Sequence, residues 1–332
     1  MTVNKADVKQ FRAQTQSDDG SNGGRMSTGL VSSGVDGALL PRVTPADMAA
    51  GFSTKRKTFF ANHGTTAALA AQLYVENYTP ADDELVFFAG TQDNTQAELT
   101  GSEDVFGAGQ LNADITAGAT TLTVSVHDWA LIPIYRNGVL LRVSDKANID
   151  AAGNTEFVRI HASTPITASG NDVTLPLATA IIGNYTAAST RVASVYEYGD
   201  IEASADNVVI ASTAGTYDDG GNPVVLSNAA SVEEVWTLSF IDATTFNAAG
   251  ASVGSIGAGS INSDFAPNNP DYSLPYFTLP SAGFGGTFAP GDTLTLVTHP
   301  SAIPVWVWRQ ASAGAGVAAN NIANIALLVG SV

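Results

Sequence analysis

Cysteine is missing from this chain. That excludes disulfides and thiolate metal sites, and it removes redox chemistry as a guide to compartment. Charge is scarce as well: Asp, Glu, Lys and Arg make up 14% of the residues, against about 25% in ordinary soluble domains. The polar surface must therefore be built from Thr, Ser, Asn, Gln and Gly, which suits a surface covered by neighbours. Histidine occurs only at His63, His127, His161 and His299, and none has a second histidine or a carboxylate at the helical or hairpin spacing of a metal site. No apolar run approaches the roughly 18 residues of a membrane helix, so no membrane insertion is expected. Residues 1–20 are polar throughout, and no secretory signal is read there.

What is present is a chain of 332 residues, 45% hydrophobic, with room for one large or two modest domains. The net charge of −17 argues against nucleic acid as a partner, because no basic patch exists to neutralise phosphates. The charge is unevenly placed. Eight of the 14 basic residues fall in positions 1–57 with five acids, a net of +3, which leaves six bases and 26 acids, net −20, for the rest. A basic arm and an acidic body are the expectation.

Along positions 1–57 the apolar residues are sparse. Asn4 followed by Asp7 reads as an N-cap and predicts a short helix over 5–14. The run DDGSNGG at 18–24 predicts no regular structure. Thr44-Pro45, with Gly51 beyond, predicts a second short helix. Such a segment has little to bury alone, so 1–57 is either disordered or laid along another subunit, and the poverty of apolar residues between the short helices favours an extended arm docked on a neighbour. From Lys57 the pattern turns to strands, at 73–78 and 84–89, then at 120–126, 138–144, 156–162, 172–178 and 190–196, separated by Gly-Asn-Asp signals. Trp236, Leu238 and Phe240 share one strand face with Thr237 and Ser239 opposite, and Leu294 and Leu296 alternate with threonines. Around Trp306 and Trp308 both faces are apolar, which marks a central or covered strand. The expected fold is mainly β: an outer β-sandwich from 58–109 plus 198–332, with a small β-barrel-like module of five or six strands inserted at 110–197.

Candidate interface residues on the arm are Lys5, Lys9, Phe11, Arg12, Arg25, Met26 and the cluster Lys55-Arg56-Lys57. Tyr272, Tyr276, Phe277, Phe284 and Phe288, with Trp306 and Trp308, form an aromatic set that reads as sandwich core or as an interface hot spot. No catalytic, metal or cofactor site is expected. The acidic pairs at 18/19, 82/83, 103/104, 218/219 and 233/234 are adjacent, and neighbours on an extended chain point to opposite sides. Glu197, Asp200 and Glu202 are better spaced for work on a sugar, though solvated carboxylates are the commoner case. Asn148-Ile149-Asp150 begins like a calcium loop, but Ala152 and Arg159 occupy ligand positions. Asp218 to Asn222 reads as a plain turn or an Asp-rich ion site. The glycine-rich stretches match neither a nucleophile elbow nor a phosphate loop.

Several stretches resemble one family of virion proteins in Mu-like transposable siphophages and their prophages. They are DDGSNGGRMS at 18–27, STKRKTF at 53–59, TPADD at 79–83, GTYD at 215–218, and WTLSF, PYFTLP and GGTFAPGDTLTLVTHPSAIPVW within 233–309. The similarity covers both ends of the chain well and 110–197 poorly. Gln310-Ala311-Ser312 departs from the Val-Pro pair more usual after the closing arginine. The resemblance implies a structural, non-enzymatic protomer of a phage tail or baseplate. Its partners would be copies of itself, in a ring or trimer, and other tail proteins. It would be made in the host cytoplasm, released by lysis and located in the virion. A receptor- or carbohydrate-binding tail module, a depolymerase, a tail-tube subunit and a head-decoration subunit stay open beside it.

Overall fold

The computed structural model describes residues 3–77, 79, 82–316 and 323–330. Tyr78, Pro80 and Ala81, in the expected 73–78 strand and the TPADD stretch, lie outside that range. The described chain is mainly β, with one short α-helix and three principal sheets.

The first sheet orders Gly23–Leu30, Val8–Thr15, Phe52–Asn62, Ala302–Ala311, Asp83–Ala89 and Val105–Phe106, all antiparallel. Its centre is the pairing of Ala302–Ala311 with Phe52–Asn62, from Ala302 opposite Ala61 to Ala311 opposite Phe52. Alternation sends Ile303, Val305 and Val307 into one core. On the other face Trp306 stacks on Phe88, and Trp308 packs against a second core. The doubly apolar strand is thus central, as its sequence predicts.

The expected arm is largely part of this sheet. The Asn4 cap is real, since its side chain accepts from the Ala6 N–H, but it opens only a single 3-10 turn, Lys5–Asp7. Period-two burial then wins over the cap: Phe11 and Ala13 face inward and Val8–Thr15 pairs with Phe52–Asn62. At Gly23 φ is 106°, and a Cβ there would sit 2.8 Å from the Trp306 ring. Glycine is therefore what lets this strand lie against the indole. Phe11, Ala13, Phe59, Ala61 and Ala302 form a small core of their own, with Met26 against it. Residues 31–44 have no regular structure. The helix Pro45–Ala50 forms as expected, with a Thr44–Asp47 capping box and Gly51 at φ 79° ending it.

The second sheet orders Thr155–Arg159, Leu140–Ser144, Arg191–Ile201, Ala108–Leu111, Thr121–Ser125, Asp172–Pro176 and Thr167–Ser169. Arg191–Ile201 does double duty. Its first half pairs with Leu140–Ser144, and its second half pairs with Ala68–Val75, which in turn pairs with Ile325–Gly330. The sheet curls until its ends meet at one bridge, Ile160 opposite Leu177, with His161 N–H donating to Pro176 O and Ala178 N–H to Arg159 O, both at 2.8 Å. No ladder joins those ends, so the sheet is not a closed barrel.

The third sheet runs Ser204–Ala205 with Val209–Ala211, then Thr293–His299, Glu234–Phe240, Thr245–Gly250 and Gly254–Ser260. Trp236, Leu238, Phe240, Leu294 and Leu296 fill its buried face. The region 58–109 plus 198–332 therefore does not share one core: besides the small one around Phe59, one large core lies between the first sheet and the Ala68–Val75 edge and another under the third sheet. Among the described residues no helix is long and apolar enough to cross a membrane.

Candidate functional site

The basic residues singled out at the N-terminus do not gather into one patch. Lys57 is fully buried; its Nζ donates to Gly24 O at 2.7 Å and Asn94 O at 2.9 Å and lies 5.2 Å from the Phe59 ring centre. Burial pulls its ammonium down to about 8, against the opposing pull of Asp93, Glu98 and Glu233. Arg56 is buried too, donating to the carbonyls of Ser17 and Lys55 and pairing with Asp18 at 2.7 Å. Lys55 sits 4.9 Å over the Trp308 ring, and Arg12 Nε donates to Ala38 O at 3.0 Å. Arg25 pairs with the buried Glu234 of the third sheet at 3.3 Å and donates to Ser252 Oγ. Lys5 meets Asp150 at 3.2 Å on the surface, and Lys9 is exposed. Apart from exposed Lys9, these cations find partners within the same chain, and Arg25 ties the first sheet to the third. The charge asymmetry could not distinguish that from an arm reaching elsewhere.

The aromatic set divides. Tyr276, Phe277 and Phe288 are buried beside Trp236, and Phe284 is half-buried there. This part is core. Tyr272 stands apart, edge-on to His63 at 5.3 Å, and His63 stacks on Phe11 at 4.9 Å. The three rings join the first sheet to the loop following Asn268–Asn269. Burial, with Lys9 adding and Asp7 opposing, pulls His63 down to about 4, so this joint is neutral. Trp306 is fully buried in the first sheet and Trp308 is partly exposed, so neither belongs to the third-sheet cluster.

Carboxylates here mostly shape turns. Asp242 accepts from Thr244 and Thr245, which holds its carboxyl down at about 2. Asp264 accepts from Ser281, and Asp218 accepts from the Gly221 N–H, which makes 218–222 an ordered turn. Glu197 is engaged by Arg159 through two bonds of 2.8 and 2.6 Å, and Asp200 accepts from the Ala70 N–H. Asn148 accepts from the Asp150 N–H inside its own loop. Among the described residues no group of three His, Asp or Glu side chains is placed to hold a metal ion.

One charged constellation escaped the sequence. His299 Nδ1 lies 2.8 Å from Glu233, and Nε2 lies 3.5 Å from Asp206. Burial lowers its pKa, the Glu233 bond and charge and then Asp206 raise it, and the net direction is upward. The signal was the register itself: Glu234 pairs with Thr298, so Glu233 falls beside His299.

The remaining surface feature is a sheet edge. Gly254–Ser260, sequence GSIGAGS, closes the third sheet with no charged residue and no proline, and most of it is exposed. Natural edges are usually blunted by lysine, proline or cover. No protein family, no curated protein and no solved structure matches the chain.

Proposed function

We propose that this protein is a structural, non-enzymatic protomer of a bacteriophage tail or baseplate, joined to its neighbours by sheet edges. The observation that carries the reading is the unguarded edge Gly254–Ser260, a row of backbone donors and acceptors with small side chains that a strand of another copy can extend. The turn-shaping carboxylates, the low charge content and the sequence resemblance support it. In this reading residues 110–197 form an inserted module on an outer sandwich. Support for the insertion comes from the chain leaving the first sheet at Val105–Phe106 and coming back beside Ala68–Val75 along the second half of Arg191–Ile201. The first 57 residues hold the body together from within as well as offering the exposed stretch at 31–44 to a neighbour. Removal of residues 1–50 alone strips two strands from Phe59 and Trp306.

The test is the mass of the purified protein by light scattering and electron microscopy, wild type against Ile256→Lys with Ala258→Lys. Rings or small closed oligomers are expected for the wild type and monomers for the variant. A wild type that stays monomeric at high concentration, or a variant that assembles equally well, overturns the edge as the joint. Hydrolytic turnover of a polysaccharide by pure protein overturns the non-enzymatic reading.

A further inference from the structure

A cavity of about 250 Å³ lies between the first sheet and the loop that follows Thr121–Ser125. Its floor is Glu84 and Gln310, directly opposite one another in the ladder of Asp83–Ala89 and Ala302–Ala311. His127 and Asp128 form one wall, Asp82 another, and the 312–315 turn the rim. Among the described residues no lysine or arginine lines it. Glu84 is only 4% exposed, and neither of its carboxylate oxygens receives a well-formed hydrogen bond. Buried acceptors left unmet are costly, so two on one side chain, beside a cavity, point to a donor that comes from outside.

We propose that this cavity binds a guanidinium group, such as the head of an arginine side chain, with Glu84 accepting its two parallel N–H bonds and Asp128 placed beside it. The shape of the donor decides for guanidinium. Two buried oxygens on one carboxylate, neither with a well-formed bond, match the planar fork, and a guanidinium loses less hydration on entering a buried site than an ammonium does. A metal ion lacks the ligands, because no three carboxylate or imidazole groups of the described residues converge. Gln310 supplies a neutral amide oxygen as a further acceptor. This inference does not depend on the assembly reading, since the arginine can belong to any partner or small molecule.

The site has a proton signature. Burial pushes the Glu84 carboxyl up to about 8, with the charge of Asp128 adding to the rise and the Asp128 backbone N–H opposing it. The groups facing Glu84 are the carboxylates Asp128 and Asp82, the neutral amide Gln310, and His127. Burial holds His127 below the ordinary histidine value, against the raising effects of Thr79, Asp83 and Asp82. Asp83 and Arg309, next along their strands, project to the opposite face. At neutral pH Glu84 therefore holds a proton, and a guanidinium that binds must expel it.

The experiment is calorimetric titration of the full chain with N-acetyl-arginine methylamide, with the uncharged citrulline analogue and with calcium. Affinity for the arginine probe is expected to rise by up to about fifty-fold between pH 6 and pH 8, since each pH unit below the Glu84 value costs up to about tenfold. Glu84→Gln, which copies the protonated acid in shape, is expected to stay folded by its melting curve, to bind at least about tenfold more weakly and to lose the pH dependence. Asp128→Asn, which keeps an acceptor for the Leu131 N–H, is expected to weaken binding less. Equal binding of the citrulline analogue, unchanged binding by Glu84→Gln, a pH-independent affinity, tighter binding of calcium, or no binding of the arginine probe at millimolar concentration would each overturn the proposal.

Discussion

The core inside the curled second sheet and the core under the third sheet are built from different side chains. In the first, every buried member is Val, Leu or Ile except Tyr135 and Tyr185. In the second, Trp236, Phe240, Phe246, Phe265, Tyr276, Phe277 and Phe288 dominate. Topology explains the difference. A sheet that curls on itself brings opposing strand faces together, and short branched side chains from both walls fill the space. The third sheet has loops and short two-stranded ribbons over its face instead of a second large sheet. Irregular chain delivers few inward side chains per unit length, so each must fill more volume, and rings do that. Phe240 and Phe288 stack at 3.8 Å with their planes 2° apart, a strand ring covered by a loop ring. Glycine makes the room. A Cβ on Gly215 would collide with Phe288, and one on Gly259 would lie 2.6 Å from Phe265.

The strongest way to break this comparison is Trp236→Ala. The indole is fully buried and its Nε1 donates to Thr298 Oγ1 at 2.8 Å. A loss of about 3–5 kcal/mol is expected. Hydrogen exchange should show the third sheet opening while the second sheet stays protected. Equal loss of protection in both would mean the two cores fold as one unit. Next in size is Gly215→Ala, where the added methyl must displace Phe288, at a cost of about 1–3 kcal/mol in urea unfolding. A neutral result would show that the loop shifts freely and that the ring packing is loose. Ile160→Val removes one methylene where the ends of the second sheet meet, and about 0.5–1.5 kcal/mol is expected. A cost as large as that of Trp236→Ala would mean that the aliphatic core is as intolerant of lost volume as the aromatic one.

The smallest effect concerns pH. The folded pKa of His299 is raised, so its stabilising contribution is fully present below the ordinary histidine value of about 6.5 and is lost as pH rises through the folded value. The imidazole is 30% exposed, so at most about 1 kcal/mol is expected. Glu233→Gln should flatten that part of the stability–pH curve. An unchanged curve would show that the ion pair contributes nothing.

What the sequence shows follows the same division. Trp236, Leu238 and Phe240 are buried and Ser239 is exposed, as alternation predicts, because one strand reports its own face. The strands of the 110–197 region are legible for the same reason, each bounded by turn residues. Val8–Thr15 and Gly23–Leu30 are not. Their inward residues are mainly Phe11 and Ala13, too few to reveal a period, and their stability comes from a partner strand far along the chain. The Asn4 cap is read correctly, but a cap starts a helix only where the following residues gain by continuing it. Glu84 is illegible for another reason. Asp83 and Glu84 do point to opposite faces, but only the fold reveals that both of those faces are closed off from water.

The pairing at the centre of the first sheet also sets a timetable for synthesis. Ala61 meets Ala302 across roughly 240 intervening residues. At the usual pace of translation that gap lasts on the order of 10 to 50 s. Throughout it Phe52–Asn62 has emerged from the ribosome without its central neighbour, and its apolar face is open to any passing chain. Closing so long a loop is also intrinsically slow. The nascent polypeptide is therefore expected to gain from holding chaperones. Ample chaperone supply and slow induction at low temperature should raise its soluble yield more than they raise that of a protein whose sheets are finished hairpin by hairpin.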